Sequence, residues 1–144
     1  MATVREILDR KGSIVITVAP DASVLEAARL MNERGTGSVL VLEGGVLRGI
    51  VTERDVLRKV VAEQRDPART PVGTVMTSSL VTCTPETTLE RCAAIITERR
   101  IRHLPVVGGS GLCGMVTIGD VMAFDLVEKD HTIHQLNSYV YNVR

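Results

Sequence analysis

Aromatic side chains are almost missing from this 144-residue sequence: Phe124, Tyr139 and Tyr141 are the whole set, and there is no tryptophan. A core must therefore be built from Val, Ile, Leu, Ala and Met, and no platform exists on which single-stranded nucleic acid could stack. An excess of charge is missing too. Seventeen basic residues balance seventeen acidic ones, so no long-range field draws in nucleic acid or an anionic membrane. No apolar run approaches the roughly 18 residues that span a bilayer. The opening Met1-Ala2-Thr3-Val4-Arg5-Glu6 lacks the apolar stretch of a secretory signal, and a cytoplasmic setting is expected. The three cysteines, Cys83, Cys92 and Cys113, are odd in number and form no C-x-x-C pair, which argues against a disulfide framework. They read as buried reduced thiols, Cys92 on the apolar face of a predicted helix and Cys113 in a predicted strand.

Catalytic signatures are absent as well. The sequence offers no Ser/His/Asp or Cys/His pairing, no cluster with metal-ligand spacing and no Gly-x-x-x-x-Gly-Lys loop. Glu53 and Asp55 stand two apart and would diverge on a helix. His131 and His134 lie one helical turn apart, but Asp130 is the sole neighbour that could complete a metal site, so they read as a solvated face. No enzyme is expected.

What the sequence does contain is itself, twice. Gly49-Ile50-Val51-Thr52-Glu53-Arg54-Asp55 returns as Gly114-Met115-Val116-Thr117-Ile118-Gly119-Asp120, 65 positions on. The same offset holds without a gap back to Thr17 and Thr82. It pairs Pro20 with Pro85, Ala28 with Ala93, Val41 with Val106 and Val56 with Val121. Register kept through a turn, a helix and a hairpin identifies a duplication.

Each copy reads as one string of elements. Val15-Ile16-Thr17 and Val81-Thr82 are predicted short strands, each followed by a proline. Ser23-x-x-Glu26 and Thr87-x-x-Glu90 are predicted capping boxes. Behind them run helical stripes, Val24, Ala27, Ala28 and Met31 in one copy and Leu89, Cys92, Ala93 and Ile96 in the other. Strands Ser38 to Leu42 and Leu47 to Thr52, joined by Gly44-Gly45, form a predicted hairpin. Leu104 to Val107 and Leu112 to Thr117 form the second, across Gly108-Gly109-Ser110-Gly111. A helix follows each hairpin, and a short one precedes each copy, at Val4 to Leu8 and at Val72 to Met76. The predicted fold is α/β of the α+β type: two β-α-β-β-α repeats packed about a pseudo-twofold axis, burying their open sheet faces and leaving two clefts at the seam. The predicted divisions are repeat 1 over 1–61, a polar Pro-marked linker over 62–71, repeat 2 over 72–126 and a C-terminal amphipathic helix over 127–144. In that last helix Ile133, Leu136 and Val140, with Tyr139 and Tyr141, read as a face for a second subunit.

The order Thr-Val-x-Pro, amphipathic helix, x-h-x-V-h, Gly turn and Gly-h-V-Thr-x-x-Asp resembles the cystathionine-β-synthase (CBS) domain. So does Ile101-Arg102-His103-Leu104-Pro105-Val106-Val107. The resemblance covers about Val4 to Val61 and Val72 to Phe124. It implies a stand-alone tandem pair that acts as an energy- or redox-sensing module, takes an adenosyl ligand in its clefts and modulates an unnamed partner protein. AMP is the foremost expectation, with ADP, ATP, NAD or NADH and S-adenosylmethionine behind it, and no metal beyond a nucleotide-associated Mg. It also implies a homodimer. The alternative is a ligand-free structural or partner-binding dimer, against which both copies keep their Thr and Asp.

The same resemblance implies the site residues. Thr52 with Asp55, and Thr117 with Asp120, would meet phosphate and ribose, although Thr-x-x-Asp is equally a capping box. A helix N-terminus adds free amides. The base would lie against Ile16, Thr17, Ala19, Pro20, Ser38 and Val39 in one copy. In the other it would lie against Val81, Thr82, Thr84, Pro85, Leu104 and Pro105, positions that read equally well as core. Arg102 and His103 would neutralise phosphate in the second copy, whereas Gly37 and Ser38 stand at that place in the first. Arg10 and Lys11, just upstream of the first strand, are candidates to compensate there. The two sites are therefore expected to differ.

Overall fold

The computed structural model describes residues 1–142; in the last helix it describes side chains to 130 and those of Ile133 and Gln135. In chain order the elements are α1 (Val4–Lys11), β1 (Thr17–Val18), α2 (Val24–Arg34), β2 (Ser38–Glu43), β3 (Val46–Thr52), α3 (Glu53–Val56), α4 (Leu89–Arg99), β4 (His103–Gly108), β5 (Gly111–Thr117) and α5 (Ile118–Asn142). A π-helical turn, Leu57–Val61, continues α3, and 3-10 turns lie at Pro67–Arg69 and Val72–Thr74. Two compact units result. One holds Ile14–Thr82 with Gly109–Leu112, and the other holds Met1–Ser13, Cys83–Gly108 and Cys113–Arg144.

In the first unit a three-stranded sheet runs in the order β1-β2-β3, with β1 parallel and β3 antiparallel to β2. Gly44 and Gly45 turn the hairpin with φ of 58° and 79°, the left-handed pair that a tight hairpin turn requires. Ser23 Oγ accepts from Glu26 N at 3.1 Å and starts α2; the return contact from Glu26 expected of a full capping box is not made. Val24, Ala27 and Met31 of α2 join Val39, Val41 and Val51 of the sheet in one aliphatic core. Val72 and Val75, sequence neighbours of the second repeat, complete it.

The second unit is built on the same plan with different local chemistry. Helix α4 buries Leu89, Cys92 and Ile96. Its N-cap is Thr88, whose Oγ1 accepts from Arg91 N at 3.1 Å, and not the expected Thr87. Thr87 Oγ1 is committed to Thr84 N at 3.0 Å. No strand forms at Val81-Thr82; Cys83 makes an isolated parallel bridge to Val106, and β4-β5 is a two-stranded sheet. The cause is Pro105. In the first repeat Leu40 N donates to Ile16 O at 3.0 Å, and Pro105, at Leu40's place in the repeat, has no N–H to give. Helix α5 runs unbroken from Ile118 to Asn142, so the predicted C-terminal helix is its continuation. The side chains of His131, His134, Leu136, Tyr139, Val140 and Tyr141 lie outside the described residues.

Each repeat's leading segment packs in the other repeat's unit. Thr3 pairs with Thr88, and Val4 N and Arg5 N donate to Thr87 O and Pro85 O, both at 2.9 Å. In the mirror arrangement Pro71 pairs with Ser23, and Val72 N and Gly73 N donate to Ala22 O (2.8 Å) and Pro20 O (2.9 Å). A glycine stands at a close approach in each arrangement, and the backbone carbonyl met at Gly49 cannot give way as the Leu8 side chain met at Gly114 can. A Cβ on Gly49 would stand 2.9 Å from Thr77 O, and one on Gly114 would stand 2.8 Å from Leu8 Cδ2.

Candidate functional site

At the end of β3, Thr52 turns the chain into α3, and at the end of β5, Thr117 turns it into α5. Both junctions are reciprocal caps. Asp55 N donates to Thr52 Oγ1 at 3.2 Å while Thr52 N donates to Asp55 Oδ2 at 2.9 Å. Asp120 N donates to Thr117 Oγ1 at 3.1 Å while Thr117 N donates to Asp120 Oδ2 at 2.9 Å. The next amide along also repeats: Glu53 N donates to Gly37 O and Ile118 N to Arg102 O, each at 3.0 Å. Capping thus places Thr and Asp beside the residues that precede β2 and β4.

The two carboxylates are committed differently. Asp55 is buried, and both of its oxygens are engaged. Oδ2 also accepts from Thr52 Oγ1 at 3.2 Å, and Oδ1 accepts from Thr77 Oγ1 at 3.4 Å and from Lys59 Nζ at 3.1 Å. Lys59 is itself fixed by a 2.9 Å bond to Val75 O. The Asp120 side chain is 23% exposed and accepts through Oδ2 alone, from Thr117 N and from Lys11 Nζ at 2.7 Å. Among the described residues its Oδ1 has no partner, and the Thr117 hydroxyl donates to none. Lys11 and Arg10 were candidates to serve the first repeat; the partners they have in the second unit are Asp120, and Phe124 and Glu128 respectively.

The other predicted residues divide by burial. Val39 and Leu104 are fully buried, so their side chains belong to the core. Ser38 and Pro105 are also buried, and Ser38 faces Thr52 across the β2-β3 ladder. Thr17, Ala19, Thr82 and Thr84 are exposed, and Ile16, Pro20 and Val81 half-buried. Sheet pairing brings Ile16, Thr17, Ser38, Val39 and Thr52 together in the first unit. Several backbone groups there are already used: Ala19 O accepts from Ala22 N, and Pro20 O from Gly73 N. In the second unit Pro85 is buried and its carbonyl accepts from Arg5 N. Arg102 is exposed with no ion pair among the described residues, and His103 is half-buried at the start of β4. Nearby, the Cys83 thiol is pushed well above its ordinary value by its hydrogen bond with Cys92 and by burial.

Sequence reasoning missed Lys59 and Thr77. Lys59 was within reach, because i,i+4 spacing from Asp55 puts it on the same helix face. Thr77 arrives through the exchanged leading segment, and no local pattern signals that.

Comparison with known proteins identifies the family and the fold. The CBS-domain family profile matches residues 3–62 and 72–126. The CBS domain-containing protein CBSX3, mitochondrial, of Arabidopsis thaliana is 35% identical over 147 residues, covering 96% of this chain and 71% of that protein. A solved putative signal-transduction protein with CBS domains from Burkholderia ambifaria superposes with a TM-score of 0.85 at 40% identity. That match covers 88% of this chain and 95% of the other. The CBS domain pair of protein MJ0100, solved with 5′-methylthioadenosine and S-adenosyl-L-methionine, matches in fold with a TM-score of 0.78 at 22% identity. It covers 89% and 98% of the two chains. With two matched domains spanning most of its length, the chain belongs to the CBS-domain family as a tandem pair.

Proposed function

We propose that this chain is a regulatory module that binds an adenosyl ligand, AMP foremost, at its Thr-Asp junctions and passes occupancy to a partner protein. The observation that carries the reading is the Asp120 carboxylate. It is held in place by its cap to Thr117, partly exposed, and left with one oxygen to accept from a ribose diol. The Thr117 hydroxyl, whose proton has no acceptor among the described residues, supplies a donor beside it. The first repeat keeps the same residues, but Asp55 spends both oxygens within the protein, so the second repeat is the stronger site. Arg102, exposed and without an ion pair among the described residues, supports an anionic ligand there. Binding shifts a conformational equilibrium only by its differential affinity for the two states, so the regulatory output scales with that difference.

A thermal-shift panel of AMP, ADP, ATP, NAD, NADH and S-adenosylmethionine tests the reading. A ligand at 100 times its dissociation constant adds about 2.7 kcal/mol of stability, and AMP is expected to give the largest shift. Absence of a shift with every adenosyl ligand favours the alternative, a structural dimer with empty sites. Self-association has its own support. Leu57 and Val61 after the first hairpin, and Met122 and Leu126 at the matching places after the second, are each about 60% exposed. Large apolar side chains repeated in this way fit helices that meet a second copy. Among the described residues no helix is long and apolar enough to cross a membrane, and a cytoplasmic setting accords with three cysteines outside any disulfide.

A further inference from the structure

The last turn of α1 carries two cations, and both are spent on one stripe of α5. Arg10 lies 4.5 Å over the Phe124 ring and 3.7 Å from Glu128, while Lys11 Nζ lies 2.7 Å from Asp120 Oδ2. Asp120, Phe124 and Glu128 follow each other at i, i+4 and i+8, so α1 reads a single face of that helix. Buried Val4 and Ile7 anchor α1 in the second unit, and Arg10 stacked on Phe124 fixes the approach of its last turn.

In the first repeat the cation on the aspartate is Lys59, four residues along the same helix and tied down by Val75 O. Its place in the second repeat is taken by Phe124, which has no charge to offer. The ammonium at Asp120 is imported from α1 instead. Asp120 is the one partner of Lys11 among the described residues, and an ammonium has three donors. Two of those donors remain after the bond to Asp120, so Lys11 can take a second anion without giving up the first.

A carboxylate that holds the ribose of a nucleotide also repels the nucleotide's phosphate, unless a cation stands beside it. We propose that Lys11 is that cation: a specificity-determining residue of the Asp120 site, whose ammonium pairs with the phosphate of a nucleoside monophosphate while Asp120 holds the ribose. The inference rests on the ligand reading given above and adds to it a discriminator between phosphorylated and unphosphorylated ligands, supplied by the N-terminal helix.

The test is calorimetry on the full chain, with AMP and adenosine as probes, read at the site that Asp120→Ala removes. Lys11→Met keeps the stem and deletes the charge. It is expected to weaken AMP by about tenfold or more, the loss of one charge-assisted bond, while adenosine changes less than about twofold. Lys11→Arg is expected to restore most of the AMP affinity. Equal weakening of both probes makes Lys11 a support of α1 and overturns the proposal. Tighter binding of both makes it a competitor for Asp120, and unchanged binding of both removes it from the site; each of these also overturns it. If the unaltered chain binds neither probe, the ligand reading itself fails, a result that no Lys11 variant can produce.

Discussion

Asp55 and Asp120 stand 65 positions apart at matching places in the repeat, and the chain asks different things of them. Asp55 ties together the N-terminus of α3, Thr77 and Lys59 from beneath the surface. Its replacement by alanine removes the N-terminal cap of α3 and strips Thr77 and Lys59 of their shared acceptor. Asp55→Ala is expected to cost about 1–3 kcal/mol of folding stability, measured by urea denaturation. Asp120→Ala is expected to cost less, because its cap is more exposed and its Oδ1 has no partner among the described residues. The reverse order would show that Asp120 is the structural member of the pair. The capping half of this chemistry was legible in Thr-x-x-Asp. The difference between the two copies was not, because it depends on which side chains arrive from elsewhere in the chain.

At the scale of elements, hairpins and helix stripes were readable because their periods are local: two glycines at a turn, and apolar residues at i, i+3, i+4 and i+7. The N-cap of α4 was misplaced by one residue, although the 65-residue offset itself sets Thr88 opposite Ser23. The missing strand at Val81-Thr82 follows from Pro105, whose consequence shows only once β4 is known to need a donor there. Least legible was the exchange of leading segments. Their composition marks short helices, but which sheet they join is a non-local choice. That exchange carries a prediction. Ile7 is buried in the second-repeat unit, so Ile7→Ala is expected to cost about 2–5 kcal/mol. Hydrogen exchange should then speed up in α4, β4 and β5 and leave β1 to β3 protected, although these are closer in sequence. Faster exchange confined to β1 to β3 would contradict the assignment of α1 to the second unit.

At the scale of the whole molecule, duplication explains both the sameness and the division of labour. Two copies of one supersecondary plan give two Thr-Asp junctions, and each leading segment finishes the other copy's junction, Lys11 at Asp120 and Thr77 at Asp55. Thr77 offers a neutral hydroxyl where Lys11 offers a charge, so the copies diverge in electrostatics while keeping their backbone. The second repeat is proposed to bind an adenine nucleotide through Asp120. That binding is tested most directly by calorimetric titration of AMP into the intact chain and into Asp120→Ala. The expected result is binding to the intact chain and a loss of about 1.5–3 kcal/mol at its stronger site in the variant. A folded Asp120→Ala that binds AMP as tightly as the intact chain would contradict it.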